Sequence, residues 1–243
     1  MFDFLGPISG IFPCIVIPLA AAGMIYAIIV GHKKVKQRRE ELFAIANEYG
    51  LQFQPARDPY HDDQYAHFEI FRRGDNRTAF NTLIGEHTFN SHQMGVKAGD
   101  FRYTVTSGSG KDRKTTTYTF SYLIVHLPFP TMPDLLIRPE HFFDKIAGVF
   151  SSKDIDFESE EFSRKFHVAS PDRKFAYDLC HPRMIEFLLQ TSPPAIDIEH
   201  ARLCLADGSR VWTPEQFRWM LQFADQFISQ WPEHVLKDLR IPK

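Results

Sequence analysis

Residues 100–127, DFRYTVTSGSGKDRKTTTYTFSYLIVHL, decide the fold class. Large side chains recur there at every second position: Phe101, Tyr103 and Val105 on the way out, then Tyr118, Phe120, Tyr122 and Ile124 on the way back. A period of two is the pattern of a strand with one face buried, because successive side chains point to opposite sides of a pleated sheet. Between the two runs lie serines, glycines, lysines and aspartate, the composition of a chain reversal. The stretch predicts a long antiparallel hairpin that carries its aromatic residues on one face.

Outward from the hairpin the same period recurs. Residues 68–73, residues 78–85 and the segment from Gly95 onward read as strands of the same sheet, with Gly74 and Asp75 at a turn. Downstream, residues 135–137 and 162–168 read as short strands, and residues 195–205 as strand patterning around a turn near Glu199 to Ala201. Helices alternate with these. Residues 140–150 predict a short one, and Ser170 followed by Pro171 predicts the start of another, with Phe175, Ala176 and Leu179 on its apolar face. Pro182 must interrupt that helix and open the next, which carries Met184, Ile185, Leu188 and Leu189. Thr213, Pro214, Glu215 and Gln216 form a capping-box start for a strong amphipathic helix. Its core face holds Phe217, Met220, Leu221, Ala224, Phe227, Ile228 and Trp231, and Pro232 ends it.

The other decisive segment is at the start. Residues 8–30, ISGIFPCIVIPLAAAGMIYAIIV, contain no charge and would measure about 34 Å as a helix at roughly 1.5 Å per residue. That length crosses a hydrocarbon core, with Pro13 and Pro18 expected to kink the helix. Lys33, Lys34, Lys36, Arg38 and Arg39 follow, against Asp3 on the upstream side, so the carboxyl side is expected to face the cytoplasm. The same five cations could attract anionic lipid headgroups, although a basic flank is also the ordinary topology signal. A cleaved signal peptide would begin with basic residues and not with Asp3, and its apolar run would stop near Ala22. A buried helix of a soluble core would seldom stay uncharged so long. The expected architecture is therefore α+β: an N-terminal transmembrane helix followed by a mainly antiparallel sheet with packed helices. Residues 1–31 would form the anchor, 32–66 a juxtamembrane helix ending at Gly50 plus a connector, and 67–243 a cytoplasmic α+β domain.

Composition excludes several classes. The chain has 243 residues, 44% hydrophobic and 24% charged, which is globular and neither disordered nor fibrous. A formal net charge of −2 provides no basic field for nucleic acid. Three cysteines, Cys14, Cys180 and Cys204, make no disulfide framework and no Cys-x-x-Cys pair. The 23 phenylalanines are enough large side chains for a sizeable core.

Candidate chemistry is sparse. In SGSGKDRKTT, alignment on Gly110 and Lys111 puts Val105 where a phosphate loop needs its first glycine and Asp112 where it needs a hydroxyl. A soluble hairpin tip, able at most to touch a phosphorylated headgroup or an acidic partner, fits better. His61, Asp62, Asp63 and His67, or His87 and His92, have ligand chemistry without a spacing that forces convergence. The acidic run at residues 154–161 lacks the glycine of a calcium loop. Cys180 precedes His181, but neighbours on a helix diverge by about 100°, so adjacency makes no dyad. Cys204 sits in an apolar strand and reads as core. No catalytic, cofactor or metal residue is assigned.

The stretch KDIDFESEEFSRKFHVASPDRKFAYDLCHPRMIEFLL, preceded by LLIRPEHFFDKI and by the hairpin, resembles a family of uncharacterised bacterial membrane-anchored proteins built on a domain of unknown function. The resemblance spans about residues 65–230 and implies a single-pass cell-membrane protein with a cytoplasmic domain, without supplying site residues. The expected function is a non-enzymatic interaction or binding module on the cytoplasmic face, held in the bilayer through residues 8–30 and meeting a protein partner or the membrane. The alternative is a membrane-tethered metal-dependent hydrolase, which would require three of His61, Asp63, His67, His87 and His92 to converge.

Overall fold

The hairpin is the middle of an eight-stranded sheet. In a computed structural model, which describes residues 12–140 and 155–240, the strands are β1 (Gln52–Gln54), β2 (Asp75–Phe89), β3 (His92–Ser107), β4 (Lys114–His126), β5 (Leu135–Pro139), β6 (Phe166–Ala169), β7 (Ala195–Glu199) and β8 (Arg202–Ala206). Their order is β1-β2-β3-β4-β8-β7-β5-β6, and every pairing is antiparallel. The helices are α1 (Phe12–Glu48), α2 (His61–Gln64), α3 (Glu160–Lys165), α4 (Arg173–Leu179), α5 (Pro182–Thr191), α6 (Pro214–Ser229) and α7 (Glu233–Arg240).

The alternation read in the hairpin becomes two cores. Phe101 lies directly opposite Phe120 and Tyr103 opposite Tyr118, whose rings stack at 5.2 Å. On that face Tyr65, Phe68 and Phe71, from the segment between β1 and β2, close over Phe101, Phe120 and Tyr122, all buried. The other face presents Leu123, Val125, Ile196, Ile198, Leu203 and Leu205 to Met184 and Leu188 of α5 and to Phe217, Leu221, Ala224 and Ile228 of α6. Fully burying a side chain of this size stabilises the fold by about 1.5–3 kcal/mol, so both faces contribute to stability. The sheet is covered on both sides because its strands are apolar at odd and at even positions.

The chain divides into two compact units, Met1–Glu41 and Leu42–Lys243. In the second, Leu42, Ile45 and Ala46 of the last turns of α1 are buried in the larger core, and Gly50 ends the helix at φ +68° as predicted. Among the fully described residues no helix is long and apolar enough to cross a membrane. The predicted span, residues 8–30, falls in large part outside them. Pro13 lies in the first turn of α1, where its missing N–H costs nothing, and α1 continues as helix through Pro18.

Several elements differ from expectation for identifiable reasons. Residues 51–66, expected as a connector, include β1 and α2. Residues 68–73, expected as a strand, form a 3-10 turn at Glu69–Arg72, because Phe68 and Phe71 at spacing three must both reach the same aromatic core. Residues 162–168 split into α3 and β6: Ser159 accepts the N–H of Phe162 and caps a helix that the alternation disguised. Asp172, not Ser170, caps α4 by accepting the N–H of Phe175. The hydroxyl of Ser170 instead donates to the carbonyl of Asp134. The Pro182 start, the His200–Ala201 reversal at positive φ and the Thr213–Gln216 capping box stand as predicted. The helix expected over residues 140–150 lies outside the described residues beyond Glu140.

Candidate functional site

A cleft of about 650 Å³ opens where the end of β5, the α3–β6 junction, the α5–β7 connection and the first turns of α6 meet. This volume falls in the range of small-molecule sites, roughly 300–1,000 Å³. Its apolar wall is made of Phe166, Trp212, Trp219 and Met220, with Pro193 and Pro194 beside them. Its polar lining includes Arg164, Lys165 and Arg210, with Glu140, Asp207, Ser192 and Gln216.

Local sequence explains each placement. Ser192 ends α5 in the left-handed region at φ +45°, and the two prolines that follow cannot extend the helix, so the chain turns out along the cleft. Thr213 accepts the N–H of Gln216 while the Gln216 side chain accepts the N–H of Thr213, which fixes where α6 begins. Two turns in, Trp219 stacks on Phe223 at 5.4 Å. Trp212 lies edge-on to Phe217 at 5.2 Å, and its backbone N–H donates to Ser121 Oγ at 2.9 Å. Behind it stands a buried polar chain: Ser121 Oγ donates to Asp100 Oδ1 at 2.7 Å, and Asn81 donates to Asp100 Oδ2 at 3.1 Å. The sheet thereby fixes an indole at the wall of the cleft.

The carboxylate of Asp207 accepts the backbone N–H groups of Ser209 and Arg210 and the Arg210 guanidinium at 2.8 Å, so it is spent on its own loop. Arg210 remains 69% exposed at its side chain, and Lys165 pairs with Glu161 across one exposed helical turn. The Lys165–Glu161 pair, exposed on both sides, is weak, roughly 0.2–1 kcal/mol. Arg164 and Lys165 thus remain available to an anionic or hydroxyl-rich group at the mouth, and Arg210 lines it while held by Asp207.

The histidine candidates are structural. His61, the first residue of α2, is fully buried, its Nδ1 3.4 Å from the Tyr122 hydroxyl and its ring 4.5 Å from that of Phe71. Burial, reinforced by the Lys97 ammonium, holds its pKa down at about 2, so it is neutral. His67 packs on Phe68 and on His200, and burial with the nearby His200 and Arg202 lowers it to about 4. Asp62 pairs with Arg77 at 2.7 Å, and Asp63 is exposed. His87 is sandwiched by the rings of Tyr49 and Phe89, and His92 lies at the β2–β3 turn against the Asn90 carbonyl. Among the described residues no group of three or more His, Cys, Asp or Glu could hold a metal ion.

The cysteines fare likewise. Burial pushes the Cys180 thiol up to about 12, and both ring nitrogens of His181 are engaged, Nδ1 by the Met184 N–H and Nε2 by the Gln230 carbonyl. Cys204 is buried in the sheet as expected, its thiol raised well above the usual value by burial, with Asp197 and Glu199 adding.

Beside His61, Lys97 is buried with its ammonium 3.1 Å from Asp58 Oδ2, 3.1 Å from Gln64 Oε1 and 5.0 Å from the centre of the Tyr65 ring. The Tyr65 hydroxyl is 3.1 Å from His126 Nε2, and burial raises its pKa to about 12. This set ties the α2 segment to β3 and β4.

The fold has a known counterpart. The mycobacterial trehalose monomycolate transport factor A, TtfA, in its crystal structure, is similar with a TM-score of 0.55 over 84% of this chain and 98% of that one. At 12% identity the likeness to TtfA is one of fold. No family model and no curated protein sequence matches the chain.

Sequence reasoning missed the cleft. Its one signal was Trp219, a large aromatic lying off the stripe of Phe217, Met220, Leu221 and Ala224 that marks the buried face of α6. Trp212, one residue before the helix cap, was the other half of the pair. The arrangement can hold an apolar group against Trp219 and the prolines while cations meet a polar head; among the described residues of its lining no acid, base and nucleophile are grouped.

Proposed function

We propose that the chain is a membrane-anchored, non-enzymatic binding module whose cleft takes one amphiphilic molecule, its apolar chain against Trp219, backed by the buried Trp212, and its polar head near Arg164 and Arg210. The observation that carries this reading is the juxtaposition of two indoles and a cationic mouth in one cavity of suitable volume. The likeness in fold to a trehalose monomycolate transport factor supports it from a separate direction. Anchoring through residues 8–30 is supported by the uncharged sequence and by Met24, Ile25, Tyr26, Ile28 and Ile29, each more than half exposed on α1. A helix surface that is apolar all round calls for an apolar environment. Lys33, Lys34, Lys36, Arg38 and Arg39 support a cytoplasmic placement of the folded unit, with anionic headgroups beside them.

The test uses the full chain in nanodiscs, titrated with dodecyl phosphate and with dodecyl maltoside while tryptophan emission is followed. Saturable change with either probe, lost in Trp219→Ala and weakened about tenfold for the phosphate in Arg164→Ala with Arg210→Ala, is expected. Unsaturable, variant-independent response to both probes would refute the cleft as a ligand site. Protease added to intact cells should spare the folded unit and digest it in inverted vesicles; the reverse would overturn the orientation.

A further inference from the structure

The hairpin extends beyond its neighbours and leaves a sheet edge open. β4 pairs with β3 along its whole length, from Lys114 opposite Ser107 to His126 opposite Gly95. It pairs with β8 only from Tyr122 to His126. The N–H of Ser121 donates to the carbonyl of Arg210 on the β8 side at 2.8 Å, which sets the parity of the strand. In a regular strand alternate residues aim their backbone groups to the same side, so those of Thr115, Thr117 and Thr119 also point away from β3. Among the described residues no strand meets them.

An unpaired row of N–H and C=O groups is a template for another strand. The segment KTTTYTF has the β-branched and aromatic composition of a strand, and Tyr118 and Val105 are exposed at 42% and 39%. Charge narrows the partner. Arg113 and Lys114 stand at one end of the open edge, both exposed, and the exposed Arg210 stands at the other. Asp207, at that other end, is engaged by its own loop and by the Arg210 guanidinium at 2.8 Å. A basic strand laid there would meet like charge at the hairpin end, where Arg113 and Lys114 outnumber Asp112, whereas an acidic one would be drawn in.

The geometry points to the β4 edge as a docking site for an extended acidic segment of a partner protein, added to the sheet as a ninth strand along Thr115, Thr117 and Thr119. The partner's backbone would pair with those three residues, and its carboxylates would meet Arg113, Lys114 and Arg210. This inference shares Arg210 with the cleft but rests on the open strand edge, and its test varies only Thr117, Arg113 and Lys114, none of which lines the cleft.

The experiment uses the full chain in nanodiscs and two labelled octapeptides, (Val-Glu)4 and (Val-Lys)4, with binding read by fluorescence anisotropy and amide protection by hydrogen exchange. The acidic peptide should bind, should protect the amides of Thr115, Thr117 and Thr119, and should weaken steeply with added salt. Thr117→Pro removes an outward N–H without touching the β3 ladder, and should weaken binding at least tenfold with unchanged thermal unfolding. Arg113→Glu with Lys114→Glu should do the same and leave the fold intact, which keeps the test sound if the proline variant misfolds. Equal binding of the basic peptide, protection elsewhere than on β4, or self-association through this edge in sedimentation would overturn the proposal.

Discussion

The hydroxyl of Ser121 donates to the carboxylate of Asp100 at 2.7 Å while accepting the backbone N–H of Trp212 at 2.9 Å. One small side chain thus links the centre of the sheet to the wall of the cleft. Ser121→Ala removes an acceptor and a donor from buried partners, so a loss of about 1–3 kcal/mol is expected in denaturant unfolding. Because Trp212 loses its anchor, its fluorescence should shift in the folded variant, whereas a change confined to stability would disconnect the network from the cleft.

Lys97 and Asp58 are unequal partners: the side chain of Lys97 is 7% exposed and that of Asp58 35%. Asp58→Ala leaves a buried ammonium short of its countercharge and should cost about 2–4 kcal/mol. Lys97→Met removes the charge and keeps the stem, and is expected to stay within about 1 kcal/mol of the native chain. A double variant more stable than Asp58→Ala alone, measured in a mutant cycle, confirms the sign.

Acid sensitivity follows from the histidines. His61 and His67 have folded pKa values near 2 and 4, below the ordinary 6.5, so the unfolded chain binds more protons between those limits. Their contribution is complete above pH 6.5 and is lost as pH falls from 6.5 toward 4 and below. Glu199, raised to about 7 by burial with Asp134 adding, opposes them over part of that window, because its protonated form is favoured by folding. His67→Phe should flatten the fall in Tm between pH 6.5 and 4, and Glu199→Gln should steepen it; unchanged slopes in thermal scans would contradict both assignments.

Thr213→Ala removes the cap of α6 and half of its capping box. A loss of about 1 kcal/mol is expected. Hydrogen exchange should quicken first at Gln216 and Phe217, at the cleft end of α6, before the buried turn around Ala224.

Legibility followed the range of the interactions. The hairpin, the Pro182 break, the Glu199–Ala201 reversal and the α6 cap were readable because each is decided by residues within a few positions: a period, a missing N–H, a left-handed turn, a side chain meeting its own backbone. Residues 69–72 and 162–165 read as strand yet are helical, while residues 166–168 are strand as expected, because short apolar runs carry too few turns to distinguish a period of two from one of three or four. His61 and His67 had ligand chemistry in the sequence; the burial of His61 among Tyr65, Phe71 and Tyr122, and the packing of His67 on Phe68 and His200, are properties of the packed face.

The sequence by itself determined the antiparallel hairpin, the alternating burial of its two faces, the major helix boundaries and an uncharged leader of bilayer length, since local stereochemistry and side-chain hydrophobicity decide all of these. Tertiary structure alone decided that β8 would stand beside β4, that Trp212 and Trp219 would share a cavity with Arg164 and Arg210, and that Thr115, Thr117 and Thr119 would be left at an open edge. Those relations join residues far apart in the chain, Tyr122 opposite Ala206 among them, and no local preference encodes which distant strands and loops will bury each other's apolar surface.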